Sequence, residues 1–205
     1  MRTVLTVGIL ESNVIVQWKK GGLSMDKALL VIDYTYDFVA EDGHLTCGLP
    51  GINLEQYMVD TTIEFLEDGQ FVVMPNDMHE ENDPFHPETA LFPPHNIRGT
   101  KGREPFGKLK DVYERHKDDI VWMDKTRYSA FAGTNLDILL RARGIREVHL
   151  LGVCTDICIL HTAIDAYNLG YDIFIHERGV ASFDMDAHQF ALKHFKNVLN
   201  ATIVS

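Results

Sequence analysis

From residue 28 onward the sequence alternates short, near-continuous apolar runs with longer stretches of helical periodicity, and few architectures satisfy that alternation. The runs are ALLVIDY (28–34), FVVMPND (71–77), IVWMD (120–124), VHLLGV (148–153), YDIFIH (171–176) and the terminal ATIVS. Strands without a polar alternate face must be covered on both sides, which parallel strands joined by helices achieve. Helical spacing falls near 53–67, 135–143, 157–169 and 187–198. In the third of these, Ile157, Leu160, Ile164 and Tyr167 share one face, and Gly170 is a suitable stop. The expectation is an α/β fold, a three-layer α-β-α arrangement around a mainly parallel, about six-stranded Rossmann-like sheet.

Ligands of open parallel sheets bind beyond the carboxyl ends of the strands. Asp33 closes the first run, Asp77 the second, Asp124 and Lys125 the third, and GVCTDIC follows the fourth. Four strand ends bearing polar or reactive side chains are therefore expected to meet in one crevice. The stretch 78–118, rich in Pro, Gly, His and Asn, exceeds an ordinary connection and is expected to be functional.

Composition narrows the chemistry. A chain of 205 residues with 45% hydrophobic content suits one domain with a sizeable core. A formal charge of -11, with no cluster of Lys and Arg, opposes a phosphate-neutralising surface, so a small neutral or cationic partner is favoured over nucleic acid. No apolar run reaches the roughly 18–20 residues that cross a bilayer, so no membrane partner is expected. Three cysteines, Cys47, Cys154 and Cys158, are too sparse for a disulfide framework and point to a reducing compartment, with the cytoplasm as the default.

Two of those thiols lie in GVCTDICIL, residues 152–160. If the fourth strand ends at Val153, then Thr155 or Asp156 caps the next helix and Cys158 falls in its first turn. There the positive helix end and its free N–H groups favour a thiolate. Cys158 is thus the better nucleophile, whereas Cys154 sits at a strand-to-turn position where a small side chain packs. The spacing C-x-x-x-C is not that of common zinc or thioredoxin sites, and no second Cys or His pair accompanies it. A buried thiol is usually inert, so catalysis needs a base and a charge partner. Asp33 can accept the proton and Lys125 can hold Asp33 ionised; singly, the first reads as a turn cap and the second as a solvated cation.

Taken together, LLVIDYTYDF with Asp33, MDKTRYSAFAGTNL with Lys125 and GVCTDICIL with Cys158 stand in the order Asp, Lys, Cys. In this, and over nearly all of residues 28–205, the sequence resembles the isochorismatase-like cysteine hydrolases. The resemblance implies that the three residues form a catalytic triad and that Val153–Cys154 is a cis peptide. It also implies that the backbone N–H groups of Cys154 and Cys158 form an oxyanion hole. Many relatives carry another small residue at position 154, and a second thiol there raises the question of oxidative inactivation.

After the second strand comes PNDMHEENDPFHPETALFPPHNIRGTKG. Asp77 and His79, two apart, project to one side of an extended backbone, and Glu88 and His95 can close the set. Such mixed nitrogen and oxygen ligation suits one divalent metal ion: zinc, iron or manganese. The segment is similar to that of the nicotinamidase branch, whose Asp-x-His pair and PPH histidine bind metal. By that resemblance Asp77, His79 and His95 are ligands, with Glu88 favoured over His86 for the remaining place. The other seven histidines, at 44, 116, 149, 161, 176, 188 and 194, are read as ordinary. Phe38, Trp122 and Tyr128 are candidates to wall an aromatic ring. The function implied is hydrolysis of nicotinamide to nicotinate and ammonia in NAD salvage, through a thioester on Cys158. The alternatives are another hydrolase of the superfamily, acting on isochorismate or on a carbamoyl or ureido compound, and a non-catalytic binding module. Assembly into a homo-oligomer is implied by resemblance alone.

Residues 1–24 are expected to be a leader foreign to the natural product or a disordered extension. Glu11 interrupts the apolar start, no small-residue cleavage site follows, and Lys20-Gly21-Gly22 is what a purine-rich ribosome-binding site would encode if translated. The hydrolase domain is then 25–205, opening at Met25. Intact-mass measurement of the protein from its native source should give a product starting at Met25; a mass that includes the leader would refute this.

Overall fold

A computed structural model describes residues 8–10, 13–15 and 25–205. Two short strands, β1 (Gly8–Leu10) and β2 (Asn13–Ile15), pair antiparallel, and the rest of the expected leader lies outside the described residues. Six further strands form one sheet: β3 (Lys27–Ile32), β4 (Phe71–Asp77), β5 (Ile120–Lys125), β6 (Glu147–Val153), β7 (Asp172–Ala181) and β8 (Thr202–Val204). Their order is β5-β4-β3-β6-β7-β8, with every pairing parallel. The chain begins at the centre, builds outward to β5, then returns beside β3 to build the other half. The direction of growth reverses between β3 and β6, and that reversal opens a crevice beyond their carboxyl ends.

Single helical turns α1 (Tyr36–Val39) and α2 (Leu49–Ile52) follow β3, and the longer helices are α3 (Glu55–Glu67), α4 (Lys108–Arg115), α5 (Leu136–Ala142), α6 (Leu160–Leu169) and α7 (Met185–Asn197). Alternate strand residues face opposite layers. Leu29, Val31, Val72, Met74 and Leu151 pack with Met58 and Phe65 of α3 and Leu109 and Val112 of α4. Leu30, Ile32, Val73, Val148 and Leu150 pack with Leu136 and Leu140 of α5, Ala163 and Ala166 of α6, and Ala191 and Phe195 of α7. Covering both faces explains the continuous apolar runs, and each buried Leu, Ile or Val contributes roughly 1.5–3 kcal/mol.

Three details differ from the sequence expectation. The stretch 78–118 contains α4, hidden because KLKDVYER buries only Leu109 and Val112 and is otherwise strongly charged. β7 runs on to Ala181, beyond the expected 176, because Glu177 and Arg178 are exposed within a strand whose register shifts against β6. The third helix starts at Leu160 after a π turn over Thr155–Ile159. The wider turn rotates the helix, so Ile159, Thr162, Ala163 and Ala166 face the core while Tyr167 is exposed and Ile157, Leu160 and Ile164 flank it. The small alanines let the helix approach the sheet.

At Gly152, φ is +131°, and a β-carbon would meet the Ile32 carbonyl oxygen of the neighbouring strand at 1.9 Å. Only glycine permits β6 to pass β3 this closely just before the turn that carries Cys158.

Two of the histidines read as ordinary form a buried chain. Tyr57 Oη lies 2.9 Å from His176 Nδ1, His176 Nε2 lies 2.9 Å from His149 Nδ1, and His149 Nε2 lies 2.7 Å from Glu147. A single assignment satisfies it with both rings neutral: Tyr57 donates to His176, His176 to His149, and His149 to Glu147. Burial, with His149 and Lys27 nearby, pushes His176 down from 6.5 to about 4. A depressed histidine binds fewer protons folded than unfolded, so its contribution is complete above pH 6.5 and is lost as the pH falls towards 4. Chemical denaturation should show up to about 3 kcal/mol of stability disappearing over that window from this group. The loss should shrink in His176→Gln, and an identical slope in that variant would contradict the assignment.

Candidate active site

Four strand ends converge at the reversal between β3 and β6, as the topology requires. Asp33 follows β3 with φ of +57°, a costly conformation for a residue with a β-carbon. It is held there by its own N–H donating to the Pro75 carbonyl at 3.1 Å. Its Oδ1 accepts the Asp77 N–H at 2.7 Å, tying the ends of β3 and β4 together. Lys125 stands directly opposite Asp77 in the β4–β5 register and is 1% exposed. Its Nζ lies 2.7 Å from Asp33 Oδ2 and 2.9 Å from Asp77 Oδ1, and it also donates to the Arg127 carbonyl at 3.2 Å. The Cys158 sulfur is 3.6 Å from the same ammonium. The structure thus brings Asp33, Lys125 and Cys158 together, although 92 residues of sequence separate the first pair.

Burial would lower the Lys125 pKa, but Asp33 and Asp77 outweigh it and hold the ammonium well above its ordinary value. Asp33 is pushed up to about 6 by burial, a rise that Lys125 tempers and Asp77 reinforces. Its Oδ2 contacts Lys125 off the hydrogen-bonding direction.

For Cys158 the expected lowering is overturned. Burial, reinforced by Asp33 and opposed by Lys125, pushes the thiol well above its usual range. The resting group is a thiol. Nor does Thr155 or Asp156 cap the turn: Cys154 occupies the N-cap, and Thr155 Oγ1 pairs with His188 Nδ1 at 2.8 Å. The Val153–Cys154 peptide is cis, as the resemblance implied.

Asp77, His79, Glu88 and His95 are all buried, and one ligand atom from each lies within 4.8 Å of the others. His95 Nδ1 lies 2.8 Å from the Pro93 carbonyl, which fixes the tautomer and turns Nε2 inward. That Nε2 has no hydrogen-bond partner; it faces Glu88 at 3.6 Å and Asp77 at 3.8 Å. Against burial, these carboxylates raise His95 to about 10, so the centre of the cluster favours positive charge. Two imidazoles, two carboxylates and an orphaned inward nitrogen fit a divalent cation. Asp77 belongs to both assemblies, with Oδ1 on Lys125 and Oδ2 3.3 Å from His79 Nε2. Its carboxyl lies far below the ordinary range: burial opposes this, but Lys125, His79 and His95 prevail.

His86, the competitor of Glu88, supports the site instead. Its Nδ1 accepts the Glu88 N–H and its Nε2 bonds the Thr126 carbonyl at 2.9 Å, which holds the turn presenting Glu88. Sequence reasoning also missed Asn96, fully buried at positive φ. Its N–H donates to Asp37 and its carbonyl accepts the His79 N–H, so it braces both cluster histidines; an Asn after PPH was the available signal.

Between Cys158 and the cluster lies a narrow pocket, partly open to solvent. Phe38 and Tyr128 line it as expected, joined by the unforeseen Leu45, Phe92, Ile157 and Phe183. Trp122 does not: strand alternation turns it away from Lys125, to a separate surface cleft with Arg103 and Tyr113.

A family model, the Isochorismatase domain, matches residues 27–205. The Bacillus subtilis isochorismatase family protein PncA is 55% identical over 181 residues, covering 87% of this chain and 99% of that protein. The crystal structure of nicotinamidase/pyrazinamidase PncA from Bacillus subtilis aligns with a TM-score of 0.87 at 55% identity, over 88% of this chain and 100% of that one. The nicotinamidase SaPncA from Staphylococcus aureus aligns at 0.76 and 44% identity, over 88% and 99% of the two chains. The pyrazinamidase of Pyrococcus horikoshii, solved in complex with zinc, aligns at 0.77 and 28% identity over the same shares.

The Lys125 arrangement makes a direct prediction. Lys125→Met leaves two facing buried carboxylates without their cation and should cost about 3–5 kcal/mol in denaturant unfolding. The double variant Lys125→Met/Asp77→Asn should recover part of that loss by removing one charge. A single variant within 1 kcal/mol of wild type would show that the ammonium is not what holds the two carboxylates.

Proposed function

The chain belongs to the isochorismatase family, in its nicotinamidase branch, and from that premise we propose that it hydrolyses nicotinamide to nicotinate and ammonia. The observation that carries the reading is one pocket bordered by a thiol with its Asp33–Lys125 partners and by a four-donor cluster, the two joined through the Lys125–Asp77 contact. A thiol beside a carboxylate is the apparatus of acyl transfer, and apolar walls between it and the cluster suit a flat ring.

In the proposed mechanism Asp33 takes the Cys158 proton as the sulfur attacks the carboxamide carbon. Electrons of the carbonyl shift to oxygen, which the N–H groups of Cys154 and Cys158 meet; loss of one such donor typically costs about 3–4 kcal/mol. Expulsion of ammonia takes the proton back from Asp33 and leaves a thioester. Water, losing its proton to Asp33, then releases nicotinate, and the proton returns to sulfur. Lys125 stays protonated throughout and keeps Asp33 oriented. Phe38 and Tyr128 hold the ring so that its carboxamide reaches Cys158. A divalent ion on Asp77, His79, Glu88 and His95, with zinc, iron and manganese all suited to the donors, would offer an open position to the ring nitrogen. The reaction belongs with NAD salvage in the cytoplasm, in keeping with three cysteines that are all unpaired.

Ammonia release from nicotinamide should be lost on chelation and return with added divalent metal. Cys158→Ala should lower it by at least about a thousandfold without unfolding the protein. Near wild-type release by that variant would remove Cys158 from its role, and turnover of isochorismate or a ureido compound in place of nicotinamide would reassign the substrate.

A further inference from the structure

Two buried thiols take no part in this chemistry through their side chains. Cys47 and Cys154 are 107 residues apart in sequence, yet their sulfurs lie 3.3 Å from each other. They are 4% and 7% exposed, and Cys154 also lines the pocket beside Cys158. Cys47 is held from behind: its N–H donates to the Phe38 carbonyl at 2.8 Å, and a β-carbon on Gly51 would come within 3.1 Å of its own. On the other side, the Cys154 carbonyl accepts the N–H groups of Ile157 and Ile159, which shapes the turn that presents Cys158. The pair therefore stands between the α1–α2 segment, which supplies Phe38 and Leu45 to the pocket, and the nucleophile turn.

We propose that Cys47 and Cys154 are a redox modification site, forming a reversible disulfide that staples the pocket wall to the nucleophile turn and leaves Cys158 free. A disulfide of about 2.05 Å needs the sulfurs to close by a little over 1 Å, which small side-chain rotations supply. The oxidant is a peroxide entering by the pocket. Cys154 sulfur attacks one peroxide oxygen, giving a sulfenic acid and one water. Cys47 sulfur then displaces the hydroxyl, which leaves as a second water with the Cys47 proton. Two thiols have then lost two electrons and two protons to hydrogen peroxide, and a dithiol reductant returns them. The bond to Cys47, with burial, holds the Cys154 thiol well above its usual range. In a reducing compartment such bonds are transient and sensing rather than structural.

The test uses full-length, metal-loaded protein exposed to hydrogen peroxide, then alkylated after unfolding and mapped by mass spectrometry. The expected result is a loss of two hydrogens, a linked Cys47–Cys154 peptide, an alkylated Cys158, and a melting temperature raised by about 5 °C that dithiothreitol reverses. Cys47→Ser and Cys47→Ala should show neither link nor shift. Separate alkylation of Cys47 and Cys154 after a dose that oxidises Cys158, or a link between Cys154 and Cys158, would overturn the proposal. Because the readout is mass and melting, it holds whatever amide the enzyme cleaves.

Discussion

Burying an ammonium without counter-charge costs several kcal/mol, and the site is arranged around one such group. Lys125 is enclosed at the end of β5 and reaches Asp33 and Asp77 at the ends of the two strands beyond it. Each contact then has a second duty. Asp33 Oδ1 receives the Asp77 backbone, so the carboxylate that faces the thiol also locks β3 to β4. Asp77 turns its other oxygen to His79 and His95, so the cation that steadies the triad also keeps a cluster ligand ionised. The Lys125–Asp77 contact joins the Asp33–Lys125–Cys158 group to the cluster, and a change in the charge of one is felt in the other.

That sharing depends on sheet topology. Parallel strands deliver all their carboxyl ends to one edge, and starting the chain at the centre puts Asp33 next to both halves. β4 and β5 bring Asp77 and Lys125 into direct register, while β6 brings the Cys158 turn from the opposite half. The crossing is tight enough that Gly152 is the only residue type tolerated beside Ile32. A long loop after β4 then folds back, through the His79–Ile97 bridge and Asn96, to carry Glu88 and His95 over the same edge.

The parts legible in the sequence were those set by short-range periodicity and by chemistry at strand ends. Apolar runs gave the strands, and Asp33, Lys125 and Cys158, each ordinary singly, stood out through their order at strand ends and the resemblance it carries, as the Asp77–His79 pair did through its spacing and the histidine and carboxylate that follow. What stayed hidden depends on three-dimensional neighbours. A π turn has no one-dimensional signature, so the buried face of α6 was displaced by its extra residue. The thiol's protonation is decided by enclosure, which a helix-end argument cannot weigh. Trp122 looked like a ring wall because aromatic content says nothing about which side of β5 faces the crevice, and Leu45, Phe92 and Phe183 come from loops whose paths are set by tertiary contacts. The buried His149–His176 chain needed the β6–β7 pairing to be seen.

Formal charge shows why the resting sulfur is a thiol. With His95 neutral, as metal binding through its Nε2 requires, Asp33, Asp77 and Glu88 carry three formal negative charges and Lys125 one positive, so two negative charges remain around the site. A divalent cation in the cluster would cancel them, provided the thiol keeps its proton; a resting thiolate would leave an unmatched buried charge, which burial penalises. Moving the proton from Cys158 to Asp33 changes no net charge, because one anion replaces another a few ångströms away, and Lys125 touches both. In the proposed mechanism, activating Cys158 by an internal transfer therefore avoids most of the desolvation cost of ionising a buried thiol to solvent. The raised thiol is then a consequence of its own burial beside Asp33, and in the proposed mechanism the attacking anion forms only where a bound carbonyl carbon can take up its charge.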